Sequence, residues 1–219
     1  LDATTDAVPE RIKELVAPLA DALWTQGERF GTIGCRVAGR IYEVTTHRTE
    51  VYDEASRKPT VAFGGELRDD LARRDFTVNS IAVDVVERRL ADPFDGRGDL
   101  ARRVLRTPLT PEVAFSEDPL RMLRAARFRA GYDLVPEDAL VDAVRAMADR
   151  LSIVSAERIR DELQKLLLLD DPTSGLEFLV DTGLMPHVID ELAVPDAVPE
   201  RIKELVAPLA DALWTQGER

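Results

Sequence analysis

An acid and a row of arginines stand close together in F-S-E-D-P-L-R-M-L-R-A-A-R-F, residues 115–128: Asp118, then Arg121, Arg124 and Arg127 at intervals of three. Proline at a first helical position, with aspartate just before it, is a helix start. Its missing N–H is an orphan there in any case, and the carboxylate accepts from the first turn. The spacing predicts a helix opening at Pro119. On it the arginines drift by about 60° per step into one oblique cationic stripe, and Leu120, Leu123 and Phe128 are left to pack. Asp118 offers acceptors and Arg121 a fork of donors, a pair that could match the Watson–Crick edge of a base. Arg124 and Arg127 would then face phosphates. The plainer reading is a solvated face with an ordinary cap, and the stretch alone does not separate the two.

Other stretches carry their own local readings. R-R-D-F-T-V-N-S, residues 73–80, reads as a helix beginning with Asp75 as cap and Val78, Ile81 and Ala82 buried. I-A-V-D-V-V, residues 81–86, reads as a strand whose turn and return follow over 87–90. D-P-F-D-G-R-G-D-L, residues 92–100, is loop chemistry, prolines and glycines with Asx turns that shape a connection. In E-R-I-R-D-E-L, residues 157–163, Ile159 and Leu163 join Leu166 and Leu167 on one buried face. Glu157, Arg158 and Glu162 therefore brace neighbouring helices rather than catalyse.

In this order and at these intervals the stretches around Asp118, Arg74, Asp92 and Glu157 resemble the class II tRNA nucleotidyltransferases, the CCA-adding enzymes and their poly(A) polymerase relatives, over residues 1–192. The resemblance implies an α+β fold, a nucleotidyltransferase head with a small mixed sheet followed by an all-helical neck. It implies transfer of CMP and AMP from CTP and ATP to the 3′ end of tRNA. Mg²⁺ would be held by strand carboxylates, because two-metal transfer needs clustered hard oxygen ligands. In such enzymes a glycine-rich stretch precedes a D-x-D pair that runs into T-T-D-A-x-P-E. Here Asp2 takes the second Asp position and the first is not in the sequence, so the opening reads as truncated. By pattern alone Glu43, among β-branched neighbours, simply faces water, but its setting E-V-T-T-H-R resembles the strand that carries a further active-site carboxylate. The resemblance thus makes Asp2 and Glu43 catalytic metal ligands. It makes Arg74, Asp75, Asn79, Asp118, Arg121, Arg124 and Arg127 nucleotide-binding, with Arg74 on phosphates and Asp75 and Asn79 holding the ribose side or bracing the site. Poly(A) polymerase-type adenylation and a non-catalytic nucleotide-binding fragment stay open as alternatives, and the chain itself is expected to turn over poorly or not at all.

These groups need elements to hold them. Residues 9–24 carry Ile12, Leu15, Val16, Leu19 and Leu23 at helical spacing around Pro18, so one kinked helix or two short ones should put that face in the core. Residues 30–37 alternate, Ala38-Gly39-Arg40 turns, and residues 41–48 return, a hairpin with Ile41, Glu43 and Thr45 on one side. G-G-E-L-R-D-D, residues 64–70, matches a glycine-rich nucleotide pattern on paper, but no D-x-D follows it, so Gly64 and Gly65 read as a turn into a helix. Further helices are expected over 136–151, 155–169 and 172–184. His47 reads as a surface strand residue, and neither it nor His187 is given a role. The expected organisation is a head over 1–110, incomplete at its N-terminus, a neck over 111–192, and a last piece over 193–219.

With 219 residues, 45% of them hydrophobic, the chain can build a core. No apolar run reaches the roughly twenty residues of a membrane span and no signal peptide opens it, so a soluble, cytoplasmic protein with no membrane partner is expected. The single cysteine, Cys35, excludes an internal disulfide and reads as a small apolar strand residue. A net charge of −12 argues against nonspecific adhesion to nucleic acid, yet residues 97–129 hold eight arginines against four acids, and a polyphosphate or RNA end would be drawn there.

Residues 6–29 and 196–219 are the same 24 residues. A short A-V-P flanks the join on both sides, and the second copy lacks the strand that precedes the first. It reads as not native to its position. Its apolar stripe would stay loosely attached or compete for the first copy's place in a neighbouring chain, favouring oligomers.

Overall fold

A computed structural model of the protein describes residues 1–51, 60–63 and 66–189, and the side chains of all of these except 48–51 and 60–63. The glycine pair at 64 and 65 and the terminal duplicate lie outside the described residues. The fold is α+β, in two compact units, Leu1–Arg73 and Arg74–Arg219. Phe76 and Leu105, both fully buried, belong to the helical core of the second unit. Among the described residues no helix is long and apolar enough to cross a membrane.

The first unit is built on a mixed sheet of order β1-β4-β3-β2. Its strands are β1 (Asp2–Thr5), β2 (Ala22–Trp24), β3 (Thr32–Val37) and β4 (Arg40–Thr46), with β1 parallel to β4 and the other pairs antiparallel. Ala38 and Gly39 turn β3 into β4 with φ of 49° and 76°, the two positive values that a tight two-residue hairpin requires, so the expected hairpin forms. Alternation along β3 sends Ile33 and Cys35 to one face, where both are buried, and Thr32 and Gly34 to the other. Helix α1 (Pro9–Val16) packs on β3 and β4 and buries Ile12. The expectation of helix through Leu23 is corrected. Pro18 cannot continue the ladder, and the Asp21 amide donates to Arg36 O at 2.8 Å, laying residues 22–24 against β3. Leu15 and Leu19, expected in the core, are 51% and 70% exposed. The pair β5 (Arg48–Val51) and β6 (Thr60–Phe63) and helix α2 (Leu67–Ala72) complete the unit.

The second unit gathers around one long helix. In chain order its elements are β7 (Ala82–Val83), β8 (Leu90–Ala91), α3 (Gly96–Arg102), β9 (Val104–Leu105), α4 (Pro111–Glu117), α5 (Leu120–Tyr132), β10 (Val135–Pro136), α6 (Asp138–Met147), α7 (Ala156–Leu167) and α8 (Thr173–Asp181). Pro119 takes helical angles at the cap position and α5 starts one residue later, with Leu120, Leu123 and Phe128 buried as expected. Met122, Ala125 and Ala126 are buried too, so α5 is enclosed on several sides, and it packs on α7 and α8. A Cβ on Gly175 of α8 would fall 2.7 Å from Ala126 O, so glycine is what lets α8 approach the α5 backbone. The three later helices form near their expected spans, with residues 148–153 tightened into a 3-10 turn.

Three local readings are corrected here. The strand over 81–86 shrinks to β7, because the Asp84 carboxylate captures the amides of Val86 and Glu87, each at 2.9 Å, and turns the chain back. The helix beginning read into 73–80 is a single 3-10 turn, Thr77–Asn79. Residues 92–100 are more than a loop, since Asp92 accepts from the amides of Gly96 and Arg97 at 2.7 and 3.0 Å and so starts α3.

Candidate active site

In the parallel ladder of β1 and β4, Asp2 stands opposite Glu43. Register partners project to the same side of a sheet, and neighbouring strands lie about 4.8 Å apart, so the two carboxylates share one small patch. Both are exposed, on the face opposite α1. Glu43 is in turn the register partner of Gly34, and Gly34 of Trp24, so a single row crosses all four strands. Two positions further along the same face, the hydroxyls of Thr32 and Thr45 meet at 3.0 Å, and Thr4 donates to the Asp70 carboxylate at 3.4 Å. Asp70, on α2, is 7% exposed.

Like charges side by side on an open face are unfavourable unless a cation lies between them. A Mg²⁺ ion takes oxygens at about 2.0–2.1 Å, a span that carboxylates on adjacent strands can close around one ion. The pair therefore fits as two hard oxygen donors. Among the described residues no group of three or more His, Cys, Asp or Glu side chains makes a fuller metal site. His47 is half-buried between β4 and β5 rather than a surface strand residue, and its amide donates to Thr5 O at 2.7 Å.

In the second unit the arginines of α5 are held by acids. Asp75, 8% exposed, accepts from its neighbour's amide at Phe76 (2.9 Å), from Asn79 Nδ2 (2.9 Å) and from Arg124 Nε (2.8 Å). Arg127 donates through Nε to Glu162, which is 2% exposed. Asp118 caps α5 by accepting from the Leu120 amide at 3.2 Å, and its other oxygen accepts from Arg158 at 2.7 Å. Arg121 donates to Ala114 O at 3.1 Å and to Glu117 at 3.2 Å, and its side chain is 12% exposed. Arg158 and Glu162 thus tie α7 to the start and middle of α5, the bracing role their spacing implied. Asp118 and Arg121 are neighbours on one helix start, each engaged with a different group. Arg74 opens the unit, half-buried.

Sequence reasoning missed two features. One is Asp99 of α3, 1% exposed, which gathers Thr77 Oγ1 (2.7 Å), Arg102 (2.8 Å) and Arg106 (2.7 Å) and thereby anchors the segment that carries Asp75 and Asn79. A Cβ on Gly96 would lie 2.0 Å from Thr77 O, so the same anchor needs that glycine. The other is the row through Gly34. A lone glycine inside an alternating strand marks a close approach, and that signal was present in T-I-G-C-R-V.

Two protein-family models match the chain. The Poly A polymerase head domain covers residues 1–106, and the probable RNA and SrmB- binding site of polymerase A covers residues 133–194. The chain belongs to the tRNA nucleotidyltransferase and poly(A) polymerase family. Within this family it is 37% identical to the CCA-adding enzyme of Lactobacillus johnsonii over 189 residues, 86% of this chain and 46% of that enzyme. Among solved structures, the Bacillus stearothermophilus CCA-adding enzyme in complex with CTP superposes with a TM-score of 0.73 at 36% identity, over 84% of this chain and 43% of that one. The Thermotoga maritima CCA-adding enzyme complexed with tRNA gives 0.66 at 25% identity, over 85% of this chain and 42% of that one. The chain spans about half the length of the curated relatives it matches, 46% for the first of them.

Proposed function

We propose that this chain is the nucleotide-transferring part of a tRNA nucleotidyltransferase that adds CMP and AMP, from CTP and ATP, to the 3′ end of tRNA. The observation that carries the reading is the register pairing of Asp2 with Glu43 on an open sheet face. In the reaction a terminal 3′-hydroxyl attacks the α-phosphorus in line. The O3′–Pα bond forms as the bond from Pα to the bridging oxygen breaks, pyrophosphate leaves, and the hydroxyl proton passes to solvent. Asp2 and Glu43 would hold Mg²⁺, which when bound lowers the cost of the developing charge and orients the phosphates.

Asp118 and Arg121 select the base, Arg74, Arg124 and Arg127 steady the phosphates, and Asp75 with Asn79 braces the ribose side. Base selection requires Asp118 to exchange Arg158 for substrate. Arg158 and Asp118 are 52% and 31% exposed, and such pairs are worth about 0–1 kcal/mol, so the exchange costs little. Arg121 and Glu117 are 12% and 19% exposed, so Arg121 recognises a base from a position that its own neighbours have already set.

The test is incorporation of labelled CMP and AMP into tRNA lacking its terminus, alongside CTP and ATP titrations of the chain with and without Mg²⁺. A stop after C-C-A supports the proposal. Runs of A would move the reading to RNA 3′ adenylation, and binding without turnover to a nucleotide-binding fragment. Glu43→Gln should cut incorporation at least about 10²-fold, the scale for one preorganised electrostatic group. Arg121→Ala should blur the choice between C and A as well as slow transfer. Loss of rate with preference intact would reject the base-selecting role.

A further inference from the structure

The row across the first unit's sheet runs from the acid pair to an indole. Gly34 makes this possible, since a Cβ there would sit 1.9 Å from Trp24 Nε1, so the ring lies over bare backbone next to Glu43. Beside it opens a concavity of about 400 Å³ lined by Trp24, Gln26, Phe30, Thr32, Gly34 and Glu43. Phe30 is 49% exposed, and the Arg29 guanidinium carbon lies 4.5 Å from its ring centroid.

The lining has aromatic rings, an amide, a hydroxyl and one carboxylate, but neither arginine nor lysine. Phosphates are drawn to cations, so a triphosphate fits poorly here. A nucleoside fits well, because a base stacks on aromatic faces, while amide and hydroxyl groups meet its polar edges. Glu43 belongs both to this wall and to the acid pair, so whatever fills the concavity is delivered to the reacting centre. We propose that the concavity holds the last nucleoside of the acceptor RNA, with its base stacked on Trp24 and its 3′-hydroxyl donating to Glu43. This rests on the proposed transfer to an RNA end. It adds a positioning role for Trp24 and a reason for glycine at 34.

The test uses the full chain carrying Trp214→Phe, so that Trp24 is the only tryptophan. A short 5′-labelled RNA ending in C-C is titrated by anisotropy and by Trp24 fluorescence, against the same RNA with an abasic last nucleotide and against CTP alone. The intact end should quench Trp24, and the abasic end should bind about 5- to 100-fold more weakly, the range for one stacked base. By anisotropy Trp24→Leu should lose a similar factor and Trp24→Phe should keep most of the affinity. Circular dichroism checks that each variant folds, and if Trp24→Leu does not, the intact-versus-abasic comparison decides alone. Equal affinity for intact and abasic ends, no quenching by RNA, or quenching by CTP alone would each overturn the assignment. Nucleotide addition that proceeds equally well on the abasic end sinks the subsite and leaves the transfer reading standing. Base-dependent quenching with no addition does the reverse.

Discussion

Arg127 is a proposed phosphate ligand and, by geometry, also a buried brace, and stability measures the bracing. Its partner Glu162 is 2% exposed, with Lys165 Nζ 3.5 Å away on a side chain that is 60% exposed. Arg127→Met strands the carboxylate beside that weak partner. Removing one member of a buried pair costs about 3–5 kcal/mol, because the other is left desolvated and uncompensated. Set against a total of about 5–15 kcal/mol, this is a large fraction of the stability. With a urea slope of about 2 kcal/mol/M, the midpoint should fall by about 1.5–2.5 M. Far-ultraviolet circular dichroism is the right probe because the unit is mainly helical. The double variant Arg127→Met/Glu162→Leu should recover most of the loss, since replacing both charges by apolar groups leaves no uncompensated charge. A single variant within about 0.5 kcal/mol of the parent, the range of ordinary surface changes, combined with weakened nucleotide binding, would refute the bracing argument and make Arg127 a substrate ligand.

Other outcomes follow from the same geometry. Asp84 has its carboxyl held below the ordinary value of 3.8, first by the Glu87 amide and then by that of Val86. A depressed carboxyl contributes stability above its unfolded pKa and loses it as pH falls through the folded one. Below pH 3.8 the turn at Asp84 should therefore loosen, with faster amide exchange at Val86 and Glu87, and in Asp84→Asn this acid dependence should vanish. An Asp84 carboxyl that titrates at its ordinary value by NMR would contradict this. Gly96→Ala should destabilise the second unit by about 1–3 kcal/mol through overpacking, because its Cβ meets Thr77 backbone rather than a movable side-chain tip. An unchanged denaturation midpoint would show that α3 can shift at no cost.

Features that depend on neighbours in the chain were legible in the sequence. Pro119 after Asp118 opened α5 within one residue, because a cap is a local hydrogen-bond problem. Ala38-Gly39 made its hairpin through the positive φ that such a turn demands. The apolar stripe around Ile159 and Leu163 placed Arg158 and Glu162 in bracing positions, and the structure supplied their partners.

What only the tertiary structure decided depends on contacts between distant residues. Leu23 fits the period of the preceding helix, but Pro18 breaks that helix and pairing with Cys35 makes residues 22–24 an edge strand, because β3 offers their amides partners. Phe76 lies in a segment that read as a helix beginning, yet the structure buries it together with Leu105 among the helices, where most of its partners are distant in the chain. Asp2 and Glu43 are 41 residues apart, and sequence could nominate each of them but not set them opposite one another. A strand's register is fixed by the ladder and by the face it buries, and a slip of one residue would have turned one of the two acids to the other side of the sheet. The composition and spacing of this chain thus determined which residues carry charge and where helices start, while its folding alone determined which of those charges meet.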